Sequence, residues 1–341
     1  MSEMRAMAIG ERGGRFQLQS RALPQPSVRE VRVRVQACGV CHSDALVVQG
    51  GAIPGLDYPR IPGHEVIGTI DAVGDQVQGW RIGERVGVGW FSGACGYCHE
   101  CGRGNAFACL NVRGATGVTR DGGYATHMLA LASGLVRVPE GLDAVQSAPL
   151  LCAGVTTFNA LRHCGAGPGD LVAIHGVGGL GHLGIQFAAR LGFRTVAINR
   201  GRDKEQLARS LGAREYIDSA ASDPAAALRA LGGARAILAT VTQAEAMETV
   251  AGGLGVNGTL MVIGAVGPMR INPMDLLNKR AAVKGWYSGI ASDSEDTLLF
   301  SQMNGVKSMN EVFPLEQAQA AYDRMISGKA RFRVVLSVTG S

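Results

Sequence analysis

The sequence is low in charge and aromatic residues, and it lacks long apolar runs. Charged residues make up 18% of its 341 residues and aromatic residues 5%, and the net charge is +5 without a basic run. Nucleic acid is therefore not expected as a partner. No window approaches roughly 18 uninterrupted apolar residues, so no transmembrane helix or membrane partner is predicted. The first residues lack the apolar core of a signal peptide, and we expect a cytoplasmic protein.

Cysteine and glycine are the informative residue types that are present. The eight cysteines follow no leader sequence, which favours thiols or metal ligands over disulfide bonds. The 49 glycines are about twice the usual share, and their scattered positions indicate many tight turns. The length predicts about two domains.

Cys41 and His64 lie in two short motifs, Gly-Val-Cys-His-Ser-Asp at 39–44 and Pro-Gly-His-Glu at 62–65. A thiolate and an imidazole are ligand types that suit zinc. Alone the pair is a weak signal, because free cysteine is usually a small buried apolar residue. Cys152 can supply a third ligand from a distant part of the chain, with a buried structural cysteine as the alternative.

Four further cysteines are packed into fifteen residues, in the spacing C-x2-C-x2-C-x7-C. They are Cys95, Cys98, Cys101 and Cys109. Four thiolates in a reducing compartment match a closed tetrahedral zinc site with a structural role. A disulfide-bonded pair or an iron–sulfur cluster is the alternative.

The first part of the chain has the pattern of short strands. Residues 31–36 alternate apolar and polar side chains, and residues 5–9, 66–74, 85–90, 122–128 and 135–139 have related character. Short strands bounded by glycine, without long helical periods, predict a small barrel-like β unit. The character changes near Ser147, after which residues 148–161 are compatible with a helix that begins near Pro149.

A glycine fingerprint follows a short apolar strand predicted at 171–175. Its residues are Gly176, Val177, Gly178, Gly179, Leu180 and Gly181. A helical pattern then runs to residue 191, so the order strand, G-x-G-x-x-G, helix is complete. The glycines permit a tight turn and close approach of a pyrophosphate, and the helix N-terminus attracts the phosphates.

Strands and helices continue to alternate after the fingerprint, which predicts a doubly wound parallel sheet. We expect strands near 194–198, 215–218, 235–240, 258–264 and 282–286, with helices near 203–211, 223–231 and 243–253. Helices near 292–304 and 314–327 and a strand at 331–338 close the chain. This tail is expected to return to the β-rich part, which has few helices of its own to cover its core.

The second strand of this series ends in Asn199 rather than in the acid that usually holds the ribose of NAD. Basic residues follow it, namely Arg200, Arg202 and Lys204. An acid would repel a 2′-phosphate and this group would accept it, so NADP(H) is favoured over NAD(H). A solvated basic loop is the alternative.

Together these motifs resemble the zinc-dependent medium-chain alcohol dehydrogenase family over nearly the full length. The resemblance includes Cys152-Ala-Gly-Val-Thr-Thr157. It implies an α/β protein with a GroES-like catalytic domain at 1–150, a Rossmann dinucleotide-binding domain at 151–288, and a return to the catalytic domain at 289–341. It also implies two zinc ions per chain. The catalytic ion would be held by Cys41, His64 and Cys152, joined by Glu65 in some ligation states, and the structural ion by the cysteine quartet.

The resemblance implies roles for neighbouring residues. Ser43 would hydrogen-bond the substrate oxygen, and Asp44 would orient the histidine ligand. Trp90 and Phe91 would line the substrate pocket, with core packing as the alternative. Further cofactor contacts are expected at His42, Thr156, Ile263 and Arg333.

The activity implied is interconversion of alcohols with aldehydes or ketones by hydride transfer with NAD(P)(H), with zinc stabilising the alkoxide or polarising the carbonyl. An NADP preference would favour aldehyde reduction. The alternatives are a secondary-alcohol or polyol dehydrogenase of the same fold and a non-catalytic dinucleotide-binding relative. Only Gln49 stands near the place where many members have the last histidine of the proton relay. The substrate is a small molecule, and a homodimer or homotetramer is expected.

Overall fold

The computed structural model describes residues 3–50, 53–112, 114–264 and 267–338. It divides into two compact units, one formed by Met1–Val155 with Gly289–Ser341 and the other by Thr156–Ser288. Among the described residues, none of the helices combines the length and the apolar character that a membrane crossing needs.

The strands are numbered in chain order. They are β1 Glu3–Ile9, β2 Phe16–Ala22, β3 Glu30–Val40, β4 Val66–Val73, β5 Arg85–Val88, β6 His127–Leu131, β7 Leu135–Arg137, β8 Leu171–His175, β9 Arg194–Asn199, β10 Glu215–Asp218, β11 Ala234–Ala239, β12 Leu254–Val262, β13 Ala282–Gly285, β14 Asn310–Pro314 and β15 Arg333–Ser337.

The helices are numbered in the same way. They are α1 Ala45–Gln49, α2 His99–Gly102, α3 Ala144–Ser147, α4 Ala153–Arg162, α5 Gly181–Arg190, α6 Glu205–Ser210, α7 Pro224–Ala230, α8 Ala244–Ala251, α9 Pro273–Lys279, α10 Ala291–Asn304 and α11 Ala318–Ile326.

The first unit is organised around β3. The sheet order is β14-β15-β3-β4-β5-β7, with β6 also paired to β3 and a separate β1–β2 hairpin. Val31, Val33 and Val35 of the alternating run are at most 3% exposed, so this strand is part of the core. From the tail, β15 pairs antiparallel with β3, and Val335 lies opposite Gly39. The C-terminal strand therefore lies beside the segment that leads to Cys41.

The second unit is built on a parallel sheet with the order β10-β9-β8-β11-β12-β13. Counted from β8, this is the 3-2-1-4-5-6 order of dinucleotide-binding folds. The order reverses between β8 and β11, and ligands of such sheets bind at the carboxyl ends of the strands at that point. Apolar residues of β8, β9 and β11 such as Ala173, Val196 and Ile237 are fully buried.

Several local predictions are wrong in detail. The helix expected from residue 148 is divided into a 3-10 turn, Ala148–Leu151, and α4, and Cys152 lies between them with φ −132° and ψ −73°. Pro149 at the start of the turn is compatible with 3-10 geometry and cannot donate a backbone hydrogen bond. The helix expected from 314 begins at Ala318, after the 3-10 turn Leu315–Gln317.

Several elements of the described chain were not predicted, among them β2, α1, α2, α9 and β14. Helix α9 begins at Pro273, and the side chain of Asn272 caps it by accepting a hydrogen bond from Met274 N at 3.1 Å. An Asn followed by Pro is a helix-start signal that could have identified it. Strand β14 has five residues and lies at the end of the described sheet, where it pairs with β15. So short a strand shows too few alternations for a sequence pattern to be recognised.

Candidate active site

Four buried or half-buried side chains in the first unit bring their ligand atoms together. One atom each of Cys41, His64, Glu65 and Cys152 lies within 4.8 Å of the others. Cys41 directly follows β3 and Glu65 directly precedes β4. Because β3 and β4 are antiparallel, with Cys38 opposite Val66, the end of one strand meets the start of the next. The sheet thus brings together two motifs that are distant in sequence, and Cys152 completes the group.

The spacing and chemistry of these donors fit zinc. The Sγ atoms of Cys41 and Cys152 are 3.8 Å apart. Zn–S bonds of about 2.3 Å at a tetrahedral angle place two sulfurs roughly 3.8 Å apart, whereas a disulfide needs about 2.05 Å. Both ring nitrogens of His64 are buried without a hydrogen-bond partner among the described residues, and because Nδ1 faces Asp44, Nε2 is the atom left for a metal. The thiol of Cys152 and the imidazole of His64 lower the pKa of Cys41, which favours the thiolate.

Asp44 connects the two motifs. Its carboxylate is 1% exposed, and Oδ1 lies 3.3 Å from Nδ1 of His64. Its Oδ2 accepts a hydrogen bond from the backbone N–H of Cys41 at 2.9 Å. Metal-binding histidines commonly present their second nitrogen to such a carboxylate, which fixes the ring. His42 and Ser43 occupy the same 3-10 turn, His42–Asp44, where His42 is exposed and Ser43 half-buried.

Glu65 and Arg333 form a buried ion pair that the sequence did not predict. Their side chains are 0% and 6% exposed, and Nη2 of Arg333 contacts Oε1 of Glu65. Burial raises the pKa of Glu65 to about 8, although the charge of Arg333 opposes the shift. The other oxygen, Oε2, has no hydrogen-bond partner among the described residues. The predicted contact of Arg333 with the cofactor stays a prediction.

Trp90 lies against the cluster. Its ring meets the ring of His64 edge-on, with centroids 4.9 Å apart. The same side chain packs on the core of the first unit, and its place in a substrate pocket stays a prediction. Phe91 is half-buried and forms a β-bridge with Ala115, and its place in a substrate pocket stays a prediction.

The cysteine quartet forms a second cluster in the first unit. One Sγ atom from each of Cys95, Cys98, Cys101 and Cys109 lies within 4.8 Å of the others. The Cys95–Cys101 distance is 3.9 Å and the Cys98–Cys109 distance is 4.0 Å, close to the edge of a zinc tetrahedron. All four are free thiols, so the disulfide alternative finds no support.

Backbone hydrogen bonds favour the charged state of Cys109. Cys109 Sγ accepts from the N–H groups of Cys95 at 3.4 Å and Val112 at 3.3 Å. The bond from Cys95, supported by that from Val112, lowers the pKa of Cys109 to about 6. Burial acts in the opposite direction on Cys101 and raises its pKa to about 12. The loop therefore favours the thiolate at Cys109, whereas Cys101 needs the charge of a metal ion to lose its proton.

The glycine fingerprint forms the turn between β8 and α5. Gly176 has φ +100°, and a side chain there would meet Thr240 Oγ1 at 2.7 Å. A Cβ on Gly181 would overlap the carbonyl oxygen of Gly176. At Gly178 a Cβ would meet no described atom within 4 Å, which leaves this face open to a ligand. These three positions match the turn, packing and close-approach roles of a dinucleotide fingerprint.

Thr240 was missed by the sequence reasoning. It follows β11, and its hydroxyl donates to the carbonyl oxygens of His175 at 2.9 Å and Gly176 at 3.2 Å. It therefore holds the start of the fingerprint turn, at the point where the strand order reverses. Two other residues expected to contact the cofactor lie in the same unit: Ile263 follows β12, and buried Thr156 accepts a hydrogen bond from Ser288 N at 3.0 Å. Their contacts with the cofactor stay predictions.

Most of the polar and basic residues at the end of β9 already contact other groups of the protein. Asn199 Oδ1 accepts from Val177 N at 3.2 Å, so Asn199 is tied to the fingerprint. Lys204 donates to Val177 O at 2.7 Å, and Arg202 pairs with Glu205 at 2.9 Å. Arg200 is exposed and has no ion pair among the described residues. Arg200 is therefore the cation best able to meet an added phosphate.

Both units of the chain contain segments that match known protein families. Residues 27–140 match the family model described as alcohol dehydrogenase GroES-like domain, and residues 179–301 match the one described as zinc-binding dehydrogenase. An alcohol dehydrogenase of Aspergillus sp. (strain MF297-2) is 42% identical over 328 residues, which cover 96% of each chain. The chain belongs to the zinc-dependent medium-chain alcohol dehydrogenase family.

Two further relatives of this alcohol dehydrogenase, one by sequence and one by structure, support the same family. An aldehyde reductase of Escherichia coli (strain K12) is 35% identical over 324 residues, covering 92% of this chain and 91% of its own. The structure of a cinnamyl alcohol dehydrogenase from Sorghum bicolor superposes with a TM-score of 0.87 at 29% identity, covering 100% of this chain and 99% of that one. The predicted family, the α/β fold and the assignment as an oxidoreductase acting on small molecules are thus confirmed.

Proposed function

We propose that this alcohol dehydrogenase carries a catalytic zinc ion at Cys41, His64 and Cys152 and works chiefly as an NADPH-linked aldehyde reductase. The observation that carries the proposal is the approach of two sulfurs and an unpartnered buried imidazole nitrogen to within 4.8 Å. Such a set leaves one tetrahedral position open, which distinguishes a catalytic from a structural zinc site.

Zinc in this position would act as a Lewis acid toward an alcohol or carbonyl oxygen, and NAD(P)(H) would carry the hydride. The two thiolates would neutralise the charge of the ion, and Asp44 would hold the imidazole in its ligand orientation. The hydroxyl of Ser43, in the turn that joins Cys41 to Asp44, would hydrogen-bond the substrate oxygen and exchange its proton with solvent. Glu65 would enter the coordination sphere in some states.

A second zinc ion is proposed for the cysteine quartet. All four donors are cysteines, which leaves no position for a substrate, so this ion would stabilise the loop from Cys95 to Cys109. We therefore propose two ions per chain, one for each cluster.

The preference for NADP(H) rests on the end of β9. Asn199 carries no charge that would repel a 2′-phosphate, and Arg200 is exposed beside it. Asp218 lies opposite Asn199 in β10, but its Oδ1 accepts from Gly201 N at 2.8 Å and Ala220 N at 2.8 Å. This acid is engaged in ordering the loop, which leaves Arg200 to meet the phosphate.

A homodimer or homotetramer is proposed as the assembled state. Strand β13 forms one end of the parallel sheet, and Val283 and Tyr287 at this end are 37% and 56% exposed. Unpaired strand edges with apolar side chains favour pairing with a second chain. Light scattering of the purified protein measures the mass, and a strict monomer would contradict this part of the proposal.

Initial rates of benzaldehyde and butanal reduction test the function, with NADPH and NADH in parallel. Rates are measured on the intact protein, after zinc removal by a chelator, and after zinc is restored. We expect turnover that is lost and recovered with zinc and that prefers NADPH. A preference for NADH would contradict the cofactor assignment alone, and activity that persists after verified loss of zinc would contradict the mechanism.

A further inference from the structure

Tyr124 is a fully buried tyrosine in the first unit that the proposed chemistry does not use. It is 0% exposed, and its main chain is held on both sides, by Tyr124 N donating to Pro62 O at 3.0 Å and by Met7 N donating to Tyr124 O at 2.8 Å. Gly123 N donates to Gly63 O at 2.9 Å. The segment that carries Tyr124 is therefore paired with the residues directly before His64.

The ring of Tyr124 is fixed as firmly as its backbone. Gly63 has φ +104°, and a Cβ there would come within 2.5 Å of Tyr124 Cδ1, so only glycine allows this approach. The ring also packs against Phe16, with centroids 5.6 Å apart. A ring held in this way presents its hydroxyl in one direction.

The hydroxyl donates to Oδ2 of Asp44 at 2.8 Å. Burial and the negative charge of Asp44 raise the pKa of Tyr124 well above its ordinary value, so the hydroxyl keeps its proton and remains a donor. The same Oδ2 accepts the backbone N–H of Cys41 at 2.9 Å, and Oδ1 faces His64. One carboxylate thus touches two of the three proposed zinc ligands, and Tyr124 is its side-chain anchor.

We propose that Tyr124 is a positioning residue, whose hydroxyl fixes Asp44 so that Cys41 and His64 stay arranged for the metal. The inference rests on the proposed catalytic zinc site and adds a residue that lies outside the ligand set. Loss of outer hydrogen bonds of this kind lowers metal affinity about 10- to 100-fold. Because Tyr124 acts through Asp44, we expect the lower end, about a tenfold faster release of the ion.

The test compares zinc release from the intact holoenzyme and from Tyr124→Phe, which removes one oxygen and keeps the ring. Tyr58→Phe is the matched control, since the Tyr58 hydroxyl donates to Val47 O at 2.6 Å in the same unit. A colorimetric chelator follows release from both sites, and cobalt substitution reports the ligand field of the catalytic site. We expect faster release of one ion only in Tyr124→Phe, an altered cobalt spectrum, and unchanged release of the quartet ion.

A purely structural role would instead lower the melting temperature without separating the two ions. Equal zinc release and identical cobalt spectra in wild type and Tyr124→Phe would overturn the inference while leaving the zinc site intact. Wild-type protein that binds no metal at Cys41, His64 and Cys152 would overturn the proposed function, and this inference with it. If Tyr124→Phe does not fold, Asp44→Asn weakens the same link from the acceptor side, and unchanged release there contradicts the inference.

Discussion

Gly39→Ala is expected to damage the candidate active site although it adds only one methyl group. Gly39 lies in β3, where its N–H donates to Glu65 O at 2.9 Å. A Cβ built there would overlap Glu65 Oε2 and lie 2.8 Å from Cδ and 2.9 Å from Cβ of the same residue. Rotation of the carboxylate cannot relieve the contact with Cβ, because that atom is attached to the backbone. The backbone of Glu65, next to His64, therefore has to move.

The cost follows from overpacking a rigid core. Inserting a methyl group into a filled site costs about 1–3 kcal/mol. The upper end applies here because the displaced carboxylate is 0% exposed and paired with Arg333. We expect a loss of about 3 kcal/mol, which lowers the melting temperature by on the order of 6–12 °C for a unit of this size.

Thermal unfolding and zinc content check this prediction. Gly10→Ala is the matched control, because a Cβ there would meet no described atom within 4 Å. We expect Gly39→Ala to melt early and to retain less zinc and activity, while Gly10→Ala matches wild type. A Gly39→Ala protein with wild-type melting temperature, zinc content and rate would refute the packing argument.

Three further predictions concern the cofactor, the quartet and pH. Asn199→Asp and Arg200→Ala should each lower kcat/KM for NADPH relative to NADH by about 10- to 100-fold, since each weakens the charge interaction with a 2′-phosphate. An unchanged NADPH/NADH ratio of kcat/KM in both variants would contradict the cofactor assignment. Cys101→Ser should lose one zinc ion and several kcal/mol of stability, on the order expected for a structural zinc, yet keep its turnover per folded molecule at low temperature. Burial lowers the pKa of His175 from 6.5 to about 4, so the unfolded chain binds the proton first as pH falls. The free energy of unfolding should therefore drop by at most about 3 kcal/mol between pH 6.5 and 4. Denaturant unfolding at each pH measures this loss, which should become smaller in His175→Asn and remain in the control His163→Asn, at an exposed histidine.

The sequence predicted those parts of the molecule that local chemistry determines. The glycines from Gly176 to Gly181, between a predicted strand and a predicted helix, indicate one kind of tight turn, and the structure has that turn. The cysteine quartet is local, so its spacing alone indicated a common cluster. The alternation of strands and helices was sufficient to predict a doubly wound sheet.

Contacts between distant residues could not be derived from local patterns. The Glu65–Arg333 pair joins positions 268 residues apart and depends on the antiparallel register of β15 on β3. Tyr124 has the sequence signal of an ordinary strand residue, and its link to Asp44 exists only because the chain at 122–124 pairs with 61–63. The requirement for glycine at position 39 arises in the same way, from the side chain of Glu65 across the sheet.

The most direct test of the central claim is an anomalous difference map at the zinc absorption edge, from crystals of protein whose aldehyde reductase activity has been verified. Two peaks per chain are expected. One should lie between Cys41 Sγ, His64 Nε2 and Cys152 Sγ, and the other within the cysteine quartet. An active protein with no peak at the first position would contradict the account.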